Sequence, residues 1–132
     1  MTLQEREARA CAIIDNMAPE LRAISLYLHD NPELGLNEHK AVKVIHQFLE
    51  KQNFISQVGL ADMRELQTAL RADYRGNAKY KIAFLGEYDA LPELGHGCGH
   101  NLIAMMSLGA AVAFSQSAPQ DWGTTFFGCP AE

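Results

Sequence analysis

The feature that most constrains the fold is a long stretch, residues 101–116, that is apolar on almost every side and rich in Ala, Gly and Ser. A helix with no polar face has nothing to turn toward water, so it must be buried on most sides. The stretch therefore predicts a buried helix that lies close against a β-sheet.

Two more helices and four strands are predicted from the spacing of apolar residues. In residues 3–30 they recur every three or four positions, as in an amphipathic helix, with a kink or restart expected at Pro19 and an end at Asn31, before Pro32. A second helix is expected to open with Asn37 as its N-cap. Strands are predicted at 54–58, 67–74, 79–85 and 124–127, with a loop at 59–65 and a hairpin turn at 75–78.

Helices that alternate with strands predict the fold class. We expect an α/β fold in which layered helices pack on a mixed, mostly parallel β-sheet, with the hairpin as its antiparallel part. The length of 132 residues allows one domain, and 48% apolar with 20% charged residues is ordinary for a globular protein.

The net charge and the cysteine content indicate which binding partners and which cellular compartment to expect. Sixteen acidic against eleven basic residues give a net charge of −5, and the basic residues form no cluster. Nucleic acid and membrane are therefore not expected partners. The polar first residues do not resemble a signal peptide, and three cysteines make no disulfide framework, so we expect reduced thiols and a cytoplasmic location.

Two polar, glycine-rich segments, 86–92 and 96–101, hold the residues most capable of chemistry. Cys98 and His100 are two positions apart, so their side chains would point the same way in an extended backbone. The glycines on either side of Cys98 permit the dihedral angles needed to wrap an ion. A thiolate with an imidazole suits Zn²⁺ or a similar metal. The alternative is a small buried cysteine beside a hydrogen-bonded histidine.

The same residues carry a resemblance to a known family. Segment 85–92 reads Leu-Gly-Glu-Tyr-Asp-Ala-Leu-Pro and segment 96–102 reads His-Gly-Cys-Gly-His-Asn-Leu. Together with 28–35 and 128–132, these segments resemble the aminoacylase–carboxypeptidase zinc metallopeptidases. They are most similar to the amidohydrolase branch, which includes aminobenzoyl-glutamate hydrolases and dipeptidases. The resemblance extends along almost the whole chain.

The resemblance implies a site and an activity. Cys98 and His100 would be ligands of one or two divalent metal ions, most naturally Zn, with Mn or Co as options. Asp89 would orient a ligand. Glu132 matches the first glutamate of the family's Pro-Ala-Glu-Glu motif, which acts as general base on a water molecule. The substrate would be a small-molecule amide: an N-acyl amino acid, an aminobenzoyl-glutamate-like conjugate or a dipeptide.

The resemblance also implies an incomplete catalytic unit. A second glutamate ligand, a later histidine and a dimerisation domain of the family are not among these 132 residues. We therefore expect residues 1–132 to be the N-terminal part of a catalytic domain, to have little hydrolase activity alone, and to come from a homo-oligomer.

Other interpretations stay open at this point. The chain could be a non-catalytic interaction or regulatory module derived from such an enzyme. A redox pair of Cys98 and Cys129 is a weaker hypothesis, because it lacks the Cys-X-X-Cys spacing. His96 fits a loop hydrogen bond better than a metal ligand. Glu87 fits a carboxylate that supports the site as well as it fits a solvated charge at a strand end, and Cys129 could line the site.

Overall fold

A computed structural model describes residues 1–60 and 64–132 and confirms the α/β class. Part of the loop predicted at 59–65 lies outside the described residues. Within these two ranges, three helices and four strands follow one another in this order: α1 Leu3–Asp30, α2 His39–Lys51, β1 Ile55–Val58, β2 Leu70–Tyr74, β3 Tyr80–Glu87, α3 His100–Ser117 and β4 Trp122–Cys129. No helix in these two ranges is long and apolar enough to cross a membrane.

The four strands form one mixed sheet in the order β1-β2-β4-β3. The predicted hairpin of β2 and β3 is wrong, because β4 lies between these two strands and pairs with both. Residues 75–78 do turn, with the Ala78 N–H donating to the Arg75 carbonyl at 3.0 Å. Gly123 of β4 packs directly under that turn, where a Cβ atom would collide with the Arg75 carbonyl.

The direction of the strands differs in part from expectation. The sheet is mixed, as predicted, but β1-β2 and β2-β4 are antiparallel and β3-β4 alone is parallel among these pairings. Parallel pairing therefore does not predominate among the four described strands. The parallel pair is nevertheless the one that builds the site.

The two N-terminal helices each differ from expectation in one detail, α1 at Pro19 and α2 at its N-cap. Helix α1 runs without a restart through Pro19 and begins at a capping box between Thr2 and Glu5. Helix α2 has Glu38, not Asn37, as its N-cap, and the Glu38 side chain makes no capping bond. The cap comes instead from Glu33, whose carboxylate accepts the N–H groups of α2 residues Lys40 and Ala41 at 3.0 and 2.9 Å.

The helices share one core against one face of the sheet. Helix α3 contacts β3 and β4, α2 contacts β1 and β2, and α1 lies along α3. The core side chains include Leu21, Leu28, Ile45, Leu49, Leu70, Leu108, Val112 and Phe126. On the opposite face, Leu85 of β3 and Phe127 of β4 are exposed. The predicted buried helix is confirmed in α3, where Ala104, Leu108 and Ala111 are fully buried.

Candidate functional site

The candidate site lies where β3 and β4 end. Because the two strands are parallel and paired in register, Glu87 lies opposite Cys129 at their carboxyl ends. The chain after β3 forms the loop that leads to His100, and the chain after β4 carries Glu132. Ligand sites in open α/β sheets form at this edge.

His100 is the best-held side chain of the site. It is the first residue of α3, and its imidazole is only 12% exposed. Its Nδ1 lies 2.9 Å from the Asp89 carboxylate and 2.9 Å from the Asp89 carbonyl oxygen. Both atoms are acceptors, so Nδ1 carries the hydrogen. On the other side of the ring, Nε2 lies 3.0 Å from Glu87 Oε2.

This arrangement fits a cation at the Nε2 side of the ring. With the hydrogen fixed on Nδ1, a neutral His100 presents its Nε2 lone pair to the Glu87 carboxylate, and two acceptors that face each other repel. A proton or a metal ion at Nε2 removes that repulsion. Histidine ligands of metals typically donate their other ring N–H to a carboxylate or carbonyl, as His100 does to Asp89.

Asp89 joins the two sequence motifs. The carboxylate oxygen that contacts His100 also accepts the backbone N–H of Glu132 at 3.2 Å. Nearby, the Ala90 N–H donates to the Glu33 carbonyl at 2.7 Å. Gly35 lies so close to Ala131 that a Cβ atom at Gly35 would stand 2.9 Å from the Ala131 Cβ. The segments that carried the family resemblance therefore meet around Asp89.

Cys98 is placed differently from the sequence-based argument. The backbone is not extended there: the Gly99 N–H donates to the His96 carbonyl at 3.0 Å, and Gly99 has φ +84°. The thiol is exposed, so the alternative of a small buried cysteine is wrong. Among the described residues, no three His, Cys, Asp or Glu side chains form a group able to hold a metal ion. The ligand roles of Cys98 and His100 remain predictions.

Three flanking residues of the site also have defined surroundings. Glu87, left open between two interpretations, contacts His100. The His96 Nδ1 atom is buried without a partner in the described part of the chain, and burial together with the charge of His100 lowers the His96 pKa. Cys129 is a free thiol whose pKa is raised by burial and by the charges of Glu87 and Glu132. A high thiol pKa disfavours the redox hypothesis.

Sequence reasoning missed a buried polar group below the site. Glu38 and Thr68 are fully buried, and the Thr68 hydroxyl donates to Glu38 Oε2 at 2.7 Å. The fully buried Tyr88 hydroxyl donates to the Thr68 carbonyl. A signal was present, because Glu38 precedes the apolar positions Ala41 and Val42 by three and four residues and so lies on the buried stripe of α2.

Two apolar grooves of the described part of the chain lie elsewhere. Apolar grooves of about 660 and 540 Å³ run along α1 and α3 and are lined mainly by hydrocarbon side chains. Asp89, Cys98 and His100 line neither of them. Amide hydrolysis needs proton-transfer and charge-stabilising groups, so the loop cluster is the better candidate site.

Known proteins similar to this chain are hydrolases. Over 98% of the chain it is 36% identical to the Xaa-Arg dipeptidase of Mus musculus. It is 32% identical, over 78% of the chain, to one of the subunits of p-aminobenzoyl-glutamate hydrolase from Escherichia coli. It is 34% identical, over 86%, to N-acetyldiaminopimelate deacetylase of Oenococcus oeni. These matches cover 33%, 25% and 33% of the respective relatives, so the chain spans about a third of their length or less.

Solved structures agree with the sequence comparison. A Bacillus subtilis protein described as a dinuclear metal-binding peptidase of the M20 family matches with a TM-score of 0.75 and 25% identity, over 89% of this chain and 36% of its own. An aminobenzoyl-glutamate utilization protein from Klebsiella pneumoniae has the same fold, with a TM-score of 0.71 and 17% identity over 94% of this chain and 39% of its own. No protein-family model matches the sequence.

Proposed function

Because the chain belongs to the amidohydrolase branch of the aminoacylase–carboxypeptidase (M20) metallopeptidases, we propose that residues 1–132 are the N-terminal part of a metallohydrolase catalytic domain. The whole protein would hydrolyse an amide bond in an N-acyl amino acid, an aminobenzoyl-glutamate-like conjugate or a dipeptide. Relatives named for a dipeptidase, a hydrolase of aminobenzoyl-glutamate and a deacetylase support this substrate class. We also propose a homo-oligomer in the cytoplasm.

The observation that carries the proposal is the double anchoring of His100. Asp89 fixes the Nδ1 hydrogen, which leaves Nε2 as the atom for a divalent ion. Cys98, exposed two residues earlier, would supply the second ligand. A thiolate and an imidazole favour Zn²⁺, and Mn²⁺ or Co²⁺ are the alternatives. When bound, the ion would polarise the scissile carbonyl and make water a stronger nucleophile at neutral pH.

The chain's own residues would position and move protons. Asp89 would keep the imidazole of His100 in one tautomer and one orientation through its carboxylate and carbonyl oxygens. Glu132, the general base implied by the family motif, would accept a proton from the attacking water and later deliver it to the leaving amine nitrogen. The bond from the Glu132 N–H to Asp89 ties this glutamate to the His100 loop.

The test is elemental analysis of the purified chain and of two cysteine variants after incubation with Zn²⁺. Cys98→Ala should lose bound zinc. Cys11→Ala is the matched control, since Cys11 is also an exposed free thiol but lies on α1, outside the site. Equal zinc content in all three proteins would contradict the ligand assignment.

The second candidate is a non-catalytic module derived from such an enzyme. The site itself favours this candidate. Among the described residues only two ligands, Cys98 and His100, are proposed, and two ligands bind a metal ion more weakly than the four of a closed zinc site. We expect the 132-residue chain to turn over N-acyl amino acids or dipeptides little or not at all. Measured turnover by this chain would contradict both that expectation and the non-catalytic candidate.

A further inference from the structure

Glu38 is a buried acid in an unusual position. As the N-cap of α2 its side chain would ordinarily bind the first free N–H groups of the helix. Glu33 already binds those groups, and Glu38 turns inward, where it has no solvent exposure. Its Oε2 accepts the Thr68 hydroxyl at 2.7 Å, while Oε1 has no hydrogen-bond partner within the described ranges.

A continuous set of contacts joins this acid to the site. Thr68, which donates to Glu38, accepts the hydroxyl of Tyr88 on its carbonyl oxygen. Tyr88 is fully buried and immediately precedes Asp89. Its ring also packs on β4, where a Cβ atom at Gly128 would lie 2.7 Å from the Tyr88 hydroxyl oxygen. The backbone that leads into Asp89 is therefore held from two directions.

We propose that Glu38 is a positioning residue for the candidate metal centre, acting through Thr68 and Tyr88 on Asp89. The inference rests on the proposed function in taking His100 as a ligand of the ion. Desolvating a carboxyl group is costly, so an apolar side chain would fill this space at lower free energy. A buried polar link instead fixes one arrangement of the groups that it joins.

The electrostatics of the cluster agree with this role. Burial raises the pKa of Glu38, the Thr68 hydroxyl lowers it less, and the negative charge of Asp89 raises it further. Burial also raises the pKa of Tyr88, so the phenol stays a hydrogen-bond donor. Within residues 1–60 and 64–132, Tyr88 and Asp89 are the titratable groups whose charges couple to Glu38. The raised pKa of Glu38 means that its charged form is disfavoured relative to an exposed glutamate, which limits negative charge close to Asp89.

The experiment compares Glu38→Ala and Glu38→Gln with the wild-type chain in two measurements. One is Co²⁺ affinity, followed by the visible absorption of the bound ion. The other is the tautomer of the His100 ring without metal, read from its ¹⁵N chemical shifts. Glu38→Ala should weaken Co²⁺ binding by up to about 10-fold, the lower end of the loss expected when the direct partner of a ligand is removed, and should reduce the Nδ1–H tautomer. Glu38→Gln keeps an acceptor for Thr68 and should restore both.

The control is Phe54→Leu, a core change beside Tyr74, which lies at the opposite end of β2 from the site. It should lower the melting temperature and leave Co²⁺ affinity and the His100 tautomer unchanged. If Glu38→Ala does not fold, Thr68→Val cuts the same link and should give the same two effects.

The positioning role is overturned if Glu38→Ala, or Thr68→Val in its place, leaves the tautomer and the Co²⁺ affinity as in the wild type. It is also overturned if Phe54→Leu changes them as much. A wild-type chain that binds no Co²⁺ contradicts the proposed metal site instead, and the tautomer measurement then still decides on Glu38.

Discussion

Replacing Asp89 with Asn tests the support of His100 most directly. The substitution keeps the shape of the side chain and one oxygen acceptor, and it removes the negative charge. Two contacts of the same carboxylate oxygen are affected, one to His100 Nδ1 at 2.9 Å and one to the Glu132 N–H at 3.2 Å. Asp89 is buried, so solvent screens these contacts weakly.

The expected loss of metal affinity depends on which contacts to His100 the variant keeps. Mutating such supporting partners costs about 10- to 100-fold in metal affinity. The Asp89 carbonyl oxygen still accepts from His100 Nδ1 at 2.9 Å in the variant, so the ring keeps one of its two anchors. We therefore expect the low end, about a 10-fold weaker binding of Zn²⁺, which corresponds to about 1.4 kcal/mol.

The assay is competition between the chain and a zinc chelator of known affinity at pH 7. Asp73→Asn is the matched control, because Asp73 is also a hydrogen-bonded carboxylate, held by Arg71 at 2.9 Å and Thr125 at 2.6 Å, and is not in contact with His100. Asp73→Asn should leave zinc affinity unchanged. An Asp89→Asn variant that binds zinc as tightly as the wild type would refute the reasoning.

Three further changes test the pH dependence, the packing and the exposed sheet face. Burial raises the Glu38 pKa above 4.5 in the folded state, so the contribution of Glu38 to stability is fully present below pH 4.5 and is lost as pH rises through the folded pKa. The unfolding free energy of the wild type minus that of Glu38→Gln, measured in urea at a series of pH values, should therefore fall over that range. Gly128→Ala places a Cβ 2.7 Å from a buried tyrosine oxygen and should cost about 1–3 kcal/mol in urea unfolding, whereas Gly97→Ala, whose nearest neighbour would be 3.6 Å away, should change stability by less than about 0.5 kcal/mol. Leu85 is 59% exposed on the sheet face of β3, a face through which copies of the chain could associate. If they do, Leu85→Lys should shift the chain toward monomer in chromatography with light scattering. A wild type that is already monomeric contradicts self-association.

Local patterns were enough to predict most helices and strands. An apolar stretch such as 101–116 has one way to avoid water, and α3 covers it with one more residue at each end. A kink or a restart was expected at Pro19, yet α1 continues as one helix through this residue, and its buried positions from Met17 to Leu28 lie on a helix that packs against α3. Propensity at one residue is a weak signal compared with the burial of a whole helix face.

Strand order could not be predicted in the same way. The turn at 75–78 forms as its residues suggest, yet turn chemistry says nothing about a strand that arrives later in the chain. Gly123 leaves room for β4 under that turn, and this fit is visible only in three dimensions. A local signal was therefore interpreted as a hairpin where the sheet has an intervening strand.

The site was predicted by residue type, while its contacts come from the strand order. Asp89 and Glu132 lie far apart in the sequence, and they meet because β3 and β4 are parallel neighbours whose ends coincide. In a hairpin, the end of β3 would have faced the start of β2, and Asp89 would have had no reason to meet Glu132. The wrongly predicted strand order and the site therefore have the same cause, because the insertion of β4 beside β3 brings the two motifs together.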